Sequence, residues 1–234
     1  MCVVAIALDA HPRWRLVVAG NRDEFHARAS APLARWGDAP HVIGGRDLVS
    51  GGGWIGVSEE GRFAVVTNVA GYPRGEDAPS RGALVADYLR AGTLPDDAAL
   101  PAFGGFSLLT VGEAAEFRSN RPTLIHQPLA AGLHGISNGP LDPPWPRTRT
   151  LTAALADWLA ADTAPDALLA TLADEASVVD GERPVFIRDA VYGTRCSTII
   201  AIAHGGSGTM IERRFVAGGA ADGETRLDFA WPKR

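Results

Sequence analysis

Short apolar runs broken by turn residues dominate the first half of the chain and predict β-strands. The first two runs, 2–8 and 16–19, are continuously apolar, which is typical of strands buried on both faces. Polar turns such as Glu60–Gly61 separate neighbouring runs, so antiparallel hairpins are favoured over alternating strands and helices. Further strands are predicted at residues 42–44, 54–57, 63–67, 106–111, 115–118, 123–126, 185–187, 197–203 and 209–215.

Helical patterns are fewer and well separated. Ser80 is a predicted N-cap for a helix that Gly92 ends, and a second helix is predicted over 147–161. Thr163 and Pro165 predict the N-cap and first turn of a third. Strands buried on both faces need a layer on each side. The pattern therefore predicts an α+β fold of two stacked, mostly antiparallel sheets covered outside by helices.

Composition narrows the class of protein. The chain has 234 residues, of which 46% are hydrophobic, so we expect a single domain over residues 1–234. Its net charge is −5. A nucleic-acid-binding protein usually carries a basic stripe, and the sequence has none, so nucleic acid is not an expected partner. The apolar run 2–8 is too short to span a bilayer and ends at Asp9. Two cysteines are too few for a disulfide framework, which predicts a reducing, cytoplasmic location.

Several familiar motifs are absent or out of context. Gly51, Gly53 and Gly56 match G-x-G-x-x-G, but a predicted strand rather than a helix follows them. A glycine-rich turn that lets two backbones approach closely is the better interpretation. The six histidines have no metal-ligand spacing, and Ser207 lies in a glycine turn rather than a nucleophile elbow. We therefore expect no metal and no cofactor.

Cysteine at position 2 is a candidate nucleophile. Removal of Met1 would leave Cys2 with both a thiol and a free α-amine. A thiol titrates near ~8.5 and an α-amine near ~7.7 to 8.0, so the amine can take the thiol proton near neutral pH. The alternative is that Cys2 is a small buried hydrophobe that opens the first strand.

Four polar residues, Asn21 to Glu24, follow the second apolar run, and the hairpin returns them toward Cys2. A carboxylate in this segment would support the α-amine, and Arg22 would balance the charge and hold a substrate carbonyl or carboxylate. The alternative is a solvated turn with an ordinary salt bridge.

Met1-Cys2 together with Asn21-Arg22-Asp23-Glu24-Phe25 resembles the NRDE family, also called the Transport and Golgi organisation protein 2 family. The resemblance covers nearly the whole chain in order. It continues through residues 51–57, 66–68, 80–82, 135–138, 144–146 and 192–195.

The resemblance implies a fold and a chemistry. The family is similar to N-terminal-nucleophile hydrolases such as choloylglycine hydrolases and penicillin V acylases, which have an αββα sandwich and cleave non-peptide amide bonds with an N-terminal cysteine. The implied catalytic residues are Cys2, Asp23, Asn68, Asn138 and Arg195. The expected substrate-binding residues are Asn21, Arg22, Glu24 and Trp54.

The implied roles follow ordinary carbonyl chemistry. Asn68 would stabilise the oxyanion, Asn138 would orient the α-amine, and Arg195 would stabilise the thiolate or pair with Asp23. Taken without the resemblance, each asparagine is equally well a turn residue that bonds its own backbone, and Arg195 a strand-end charge in solvent.

Strand geometry adds two expectations. Arg22 and Asp23 are adjacent, so they converge on Cys2 only if a turn or bulge intervenes. If Arg195 points into the site, Cys196 points away, and a Cys2–Cys196 disulfide is not expected.

The sequence therefore predicts an amidohydrolase that acts through Cys2 on a small-molecule amide or acyl substrate. The resemblance also implies an alternative, a carrier of the same fold that binds haem or lipid without turnover, since fold does not fix function. An enzyme would lose activity when Cys2 is replaced, whereas a carrier would tolerate the change.

Overall fold

The computed structural model describes residues 2–176 and 183–233, which form two antiparallel sheets and three α-helices. In chain order the strands are β1 (Cys2–Leu8), β2 (Trp14–Phe25), β3 (Ser30–Trp36), β4 (Ala39–Asp47), β5 (Ile55–Ser58), β6 (Arg62–Asn68), β7 (Phe106–Val111), β8 (Ala115–Ser119), β9 (Ile125–Pro128), β10 (Gly132–Ile136), β11 (Tyr192–Ala203), β12 (Ser207–Phe215) and β13 (Ala221–Ala230). The α-helices are α1 (Arg81–Ala91), α2 (Pro146–Ala161) and α3 (Leu168–Leu172), and short 3₁₀ turns lie at Leu100–Ala102 and Pro165–Ala167.

The chain divides into two compact units, each built on one sheet. The first unit comprises residues up to Ala27, Ala131–Ser137 and the chain from Leu141 onward, and its strand order is β10-β1-β2-β11-β12-β13. The second unit comprises Arg28–Ala130 and Asn138–Pro140, and its order is β3-β4-β5-β6-β7-β8-β9. The expected α+β class with two antiparallel sheets and a few helices is confirmed; that the chain is one domain stays a prediction.

In the first unit, the continuous apolar run of β1 is buried on both faces, as predicted. Val3, Ala5 and Ala7 pack in one cluster with the leucines of α2 and α3. Val4 and Ile6 point to the opposite face and are fully buried as well. Ala5 and Ala7 are small, so α2 can approach the sheet closely.

In the second unit, α1 packs its apolar stripe on the sheet. Ser80 accepts a hydrogen bond from the Gly82 amide, and Gly92 ends the helix with a φ of 70°, so both predicted caps are confirmed. A Cβ at Gly56 would lie 2.8 Å from both the Ile43 carbonyl oxygen and Leu89 Cδ1. The glycine-rich segment therefore permits close packing. It leads into strand β5, which contains Gly56, and not into a helix.

Three strands, β3, β10 and β13, were not predicted. Each lacks a sustained apolar run: β13 carries Asp, Glu and Arg and is mostly exposed, and β10 has two glycines in five residues. Strand β4 is also longer than the predicted 42–44. Pairing with a neighbouring strand, rather than local composition, holds these segments extended.

Two local predictions were wrong. Residues 185–187 are not a strand, because the Phe186 amide donates to the Asp174 carbonyl and the Ile187 amide to Thr194 Oγ1 instead of to a ladder. Thr163 caps no helix; the third helical segment opens with a 3₁₀ turn at Pro165 that has no side-chain cap.

No helix within residues 2–176 and 183–233 is long and apolar enough to cross a membrane.

Leu89 is fully buried at the interface between α1 and its sheet. We expect Leu89→Ala to lower the free energy of unfolding by about 2–5 kcal/mol, because it removes buried methyl groups and leaves a cavity. Denaturant unfolding followed by circular dichroism measures the change. Leu124→Ala, at a side chain that is 44% exposed in the same unit, is the control and should change stability little. Equal losses in the two variants would contradict this packing.

Candidate active site

The N-R-D-E segment lies inside strand β2 rather than in a turn after it, so the alternative of a solvated turn is wrong. Cys2 pairs with Arg22 across the β1–β2 ladder, and Arg22 pairs with Cys196 of β11 on its other side. Because neighbouring strands satisfy its backbone groups on both sides, a polar segment can continue the strand. Asn21, Arg22 and Asp23 are buried as a result.

Strand alternation sorts these residues onto two faces. Cys2, Arg22 and Cys196 form one cross-strand row on one face. Asn21 and Asp23 lie on the other face, which the helices of the first unit cover. The ladder between β2 and β11 shifts register between Thr194 and Cys196, so Arg195 is the extra residue of a bulge.

The bulge corrects the expectation about Cys196. Cys196, not Arg195, is in register with Arg22 and therefore shares the face of Cys2. Both cysteines are free. Two strand spacings separate them, about 9.5 Å, which exceeds the reach of a disulfide.

The Cys2 thiol is almost completely buried, with 8% of the residue exposed. Its carbonyl oxygen accepts a hydrogen bond of 2.8 Å from Ser137 Oγ, which ties β1 to the end of β10. Burial raises the pKa of the Cys2 thiol above its ordinary value; the charge of Asp23 adds to the rise, and the Arg22 guanidinium opposes it. The thiol therefore needs a base in order to react near neutral pH.

Asp23 is a buried carboxylate with partners at both oxygens. Arg147 Nη2 donates to Oδ2 at 2.8 Å, and Thr194 Oγ1 donates to Oδ1 at 2.8 Å. The Tyr192 hydroxyl donates to the Asp23 backbone carbonyl at 2.9 Å. Burial raises the pKa of the Asp23 carboxyl, whereas the charge and hydrogen bond of Arg147 oppose the rise.

Arg147 is the residue that sequence reasoning missed. It lies in the first turn of α2, is 7% exposed, and also donates to the Val185 carbonyl at 3.2 Å. A signal was present, because Arg147 lies four residues before Leu151 and eight before Leu155, on the apolar stripe of the helix. A charge in the register of a buried stripe indicates a buried partner.

Asn21 connects secondary-structure elements. Its amide nitrogen donates to the carbonyls of Leu172 and Val185 at 2.8 and 2.9 Å, and its amide oxygen accepts from Ser197 Oγ at 2.7 Å. These bonds join α3 and the segment before β11 to the sheet. The structure thus places Asn21 on the face away from the Cys2 thiol, unlike the substrate contact expected from the sequence.

The remaining predicted residues of the first unit lie near the end of β2. Arg22 Nη2 and Glu24 Oε2 are 3.7 Å apart on the face of Cys2. The Arg195 guanidinium donates to the carbonyls of Phe25 and His26, each at 3.0 Å, and so holds the chain where β2 ends.

Three predicted site residues belong to the second unit. Asn68 ends β6, and its carbonyl accepts a hydrogen bond of 3.4 Å from Asn138 Nδ2, so the structure brings these two residues together. Ala70 in turn donates to the Asn138 carbonyl at 2.9 Å. Trp54 is buried, and its indole Nε1 has no hydrogen-bond partner among the described residues.

Metal-ligating side chains do not gather within residues 2–176 and 183–233: no three of His, Cys, Asp or Glu there are arranged to hold an ion.

Two solved structures with a similar fold are hydrolases. An N-acylethanolamine-hydrolyzing acid amidase ortholog from Caenorhabditis elegans matches with a TM-score of 0.54 and 12% identity over 85% of this chain and 92% of that chain. The C2A mutant of a conjugated bile acid hydrolase from Clostridium perfringens matches with a TM-score of 0.55 and 7% identity over 97% and 92%. At this identity the likeness shows the fold alone: this chain has the fold of these two hydrolases.

Sequence relatives extend over nearly the full length. The chain is 30% identical to the Transport and Golgi organization protein 2 homolog of Bos taurus, over 96% of this chain and 97% of that protein. It is 27% identical to the homolog of Homo sapiens, over 97% of each. The family model for Transport and Golgi organisation 2 matches residues 1–217, and the chain belongs to that family.

Proposed function

We propose that the protein hydrolyses a non-peptide C–N bond in a small acylated metabolite, with Cys2 as the nucleophile after removal of Met1. One observation carries the proposal. The β1–β2 register aligns Cys2 with Arg22, so the amino side of Cys2 faces the next residue of β2, Asp23. Asp23 is a buried carboxylate held by Arg147, and such a group can hold an ammonium in place.

The proposed reaction runs through a thioester. The α-amine of Cys2 takes the thiol proton, and Sγ attacks the amide carbonyl carbon. The C–N bond then breaks, and the α-ammonium returns the proton to the leaving nitrogen. Water, deprotonated by the same amine, attacks the thioester, releases the carboxylic acid and restores the thiol. No oxidant, reductant or metal is consumed.

Other residues have supporting roles in the proposal. The Arg22 guanidinium lies directly across the ladder from Cys2, where its charge favours the thiolate or a substrate carboxylate. The roles that the resemblance gives to Asn68, as oxyanion donor, and to Asn138, as the group that orients the α-amine, stay predictions. The same holds for Arg195 beside the thiolate.

The substrate class follows from the chemistry and from the fold neighbours. Those hydrolases act, by their names, on an N-acylethanolamine and on a conjugated bile acid. We extend to this chain only the shared feature, a small-molecule amide with an acyl group. Two cysteines in 234 residues are too few for a disulfide framework, so a cytoplasmic location is part of the proposal.

Intact mass spectrometry of the natively expressed protein, with and without a β-lactam probe, tests the nucleophile. We expect loss of one methionine and a single covalent adduct that maps to Cys2. Cys2→Ala should abolish the adduct, and Cys196→Ala, the other thiol of the chain, is the matched control that should retain it. A retained Met1 with an unreactive Cys2 would refute the proposal and direct attention to haem and lipid binding.

The pH dependence of alkylation tests the amine as base. In protein that keeps Met1, prepared with the methionine aminopeptidase inhibited, burial holds the pKa of the Cys2 thiol above its ordinary value. Iodoacetamide should therefore react slowly at pH 7 and faster with every rise in pH through the alkaline range. In processed protein the midpoint should fall toward that of the α-amine, about 8. Identical midpoints would argue against the amine-assisted mechanism.

A further inference from the structure

Arg147 occupies a place that its own helix does not favour. It lies in the first turn of α2, where the helix dipole is positive, and that turn holds no acidic residue and no side-chain cap. An exposed position would let the guanidinium reach water, but Arg147 is 7% exposed. The reason for an arginine here must therefore come from what it contacts.

The contacts of Arg147 converge on Asp23. Nη2 donates to Asp23 Oδ2 at 2.8 Å and to the Val185 carbonyl at 3.2 Å, while Nε, also buried, has no partner among the described residues. A pair joined through one nitrogen is a weak source of stability, because burying both charges costs much of what their attraction returns. The pair has a chemical role if the reaction at Cys2 needs Asp23 in its ionised form.

Asp23 is surrounded by groups from three strands and one helix. Strand β11 contributes Thr194 Oγ1 and the Tyr192 hydroxyl; the guanidinium of its bulge residue Arg195 donates instead to the carbonyls of Phe25 and His26. Strand β1 contributes Cys2, and β2 itself contributes Arg22 on the opposite face. Helix α2 contributes Arg147, the cation that hydrogen-bonds the carboxylate.

We propose that Arg147 is a positioning residue for the Cys2 reaction: its guanidinium holds the Asp23 carboxylate in place on the amino side of Cys2. The inference rests on the proposed function. Burial alone favours the neutral carboxyl, and a neutral carboxyl cannot serve as counter-ion to the α-ammonium that forms when the thiol is deprotonated. Arg147 opposes that effect of burial without contacting substrate.

Loss of Arg147 would raise the pKa of Asp23. Arg147 lowers the pKa of Asp23 relative to the same buried carboxyl without a cation. When the guanidinium is removed, Asp23 stays protonated to higher pH. The acidic limb of the pH–rate profile, where the rate of Cys2 acylation rises with pH, therefore moves to higher pH. A tenfold change in the ionised fraction of a carboxyl at a given pH corresponds to a displacement of its titration by one pH unit.

The experiment measures the rate of Cys2 acylation by the β-lactam probe from acid to alkaline pH. We expect Arg147→Met to move the acidic limb up by at least about one pH unit and to slow the reaction at least tenfold on that limb. Arg147→Lys should restore part of the rate. Arg149→Met, an exposed arginine two residues along α2, is the control and should match the unmodified chain. A folded Arg147→Met protein with an unchanged pH profile would overturn the inference.

A double-mutant cycle tests whether Arg147 acts through Asp23. In the Asp23→Asn background, Arg147→Met should cause no further loss of rate, because the carboxylate it serves is absent. Full additivity of the two losses would contradict a positioning role. Should Arg147→Met fail to fold by circular dichroism, Arg147→Gln keeps a hydrogen-bond donor without the charge and should show the same shift of the acidic limb.

A second readout separates this inference from the proposed function. Carbon-13 NMR of the aspartate carboxyls, with Asp23 assigned by Asp23→Asn, follows ionisation in the full chain whether or not Cys2 reacts. We expect the Asp23 midpoint to rise in Arg147→Met. If Cys2 is never acylated but the midpoint rises, the proposed function fails while the control of Asp23 by Arg147 stands. An unchanged midpoint overturns the inference independently of activity.

Discussion

The need to bury the charge of Asp23 constrains much of the first unit. A carboxylate removed from water costs several kcal/mol unless it is paired and hydrogen-bonded. Asp23 meets this cost with Arg147 on one oxygen and Thr194 on the other. The first bond ties the first turn of α2 to β2, and the second ties β11 to β2. Helix, strand and carboxylate are therefore interdependent, although they are far apart in sequence.

The register of the sheet determines which of these residues lie on the face of the Cys2 thiol. A slip of one residue between β1 and β2 would bring Asp23 to the face of the Cys2 thiol and move Arg22 beneath the helices. The bulge at Arg195 lets β11 match Thr194 to Asp23 while it keeps Cys196 opposite Arg22. Asn21 and Asp23 therefore lie on a different face of the sheet from Arg22 and Glu24, although the four residues are consecutive in the chain.

Sequence reasoning predicted those features that local pattern encodes. The doubly buried β1 follows from its unbroken apolar run, and the limits of α1 follow from Ser80 and Gly92. The resemblance supplied the family and the fold. The partner of Asp23 was missed because the Arg147–Asp23 pair joins residues 124 positions apart. The face of Cys196 was assigned wrongly because a strand pattern gives no sign of a bulge.

The residues that define the family by sequence have different physical explanations. Asn21 is accounted for by the fold, because its amide joins a helix and a connecting segment to the sheet. Packing does not account for the thiol of Cys2 in the same way. A small apolar side chain such as alanine would be buried at the start of β1 in the same way, but it would not accept the hydrogen bond that the Asp23 amide makes to the Cys2 sulfur. The sulfur atom accepts a hydrogen bond from the Asp23 amide, and the buried, ion-paired Asp23 lies on the amino side of Cys2, which is the setting in which the proposed reaction would use a thiol.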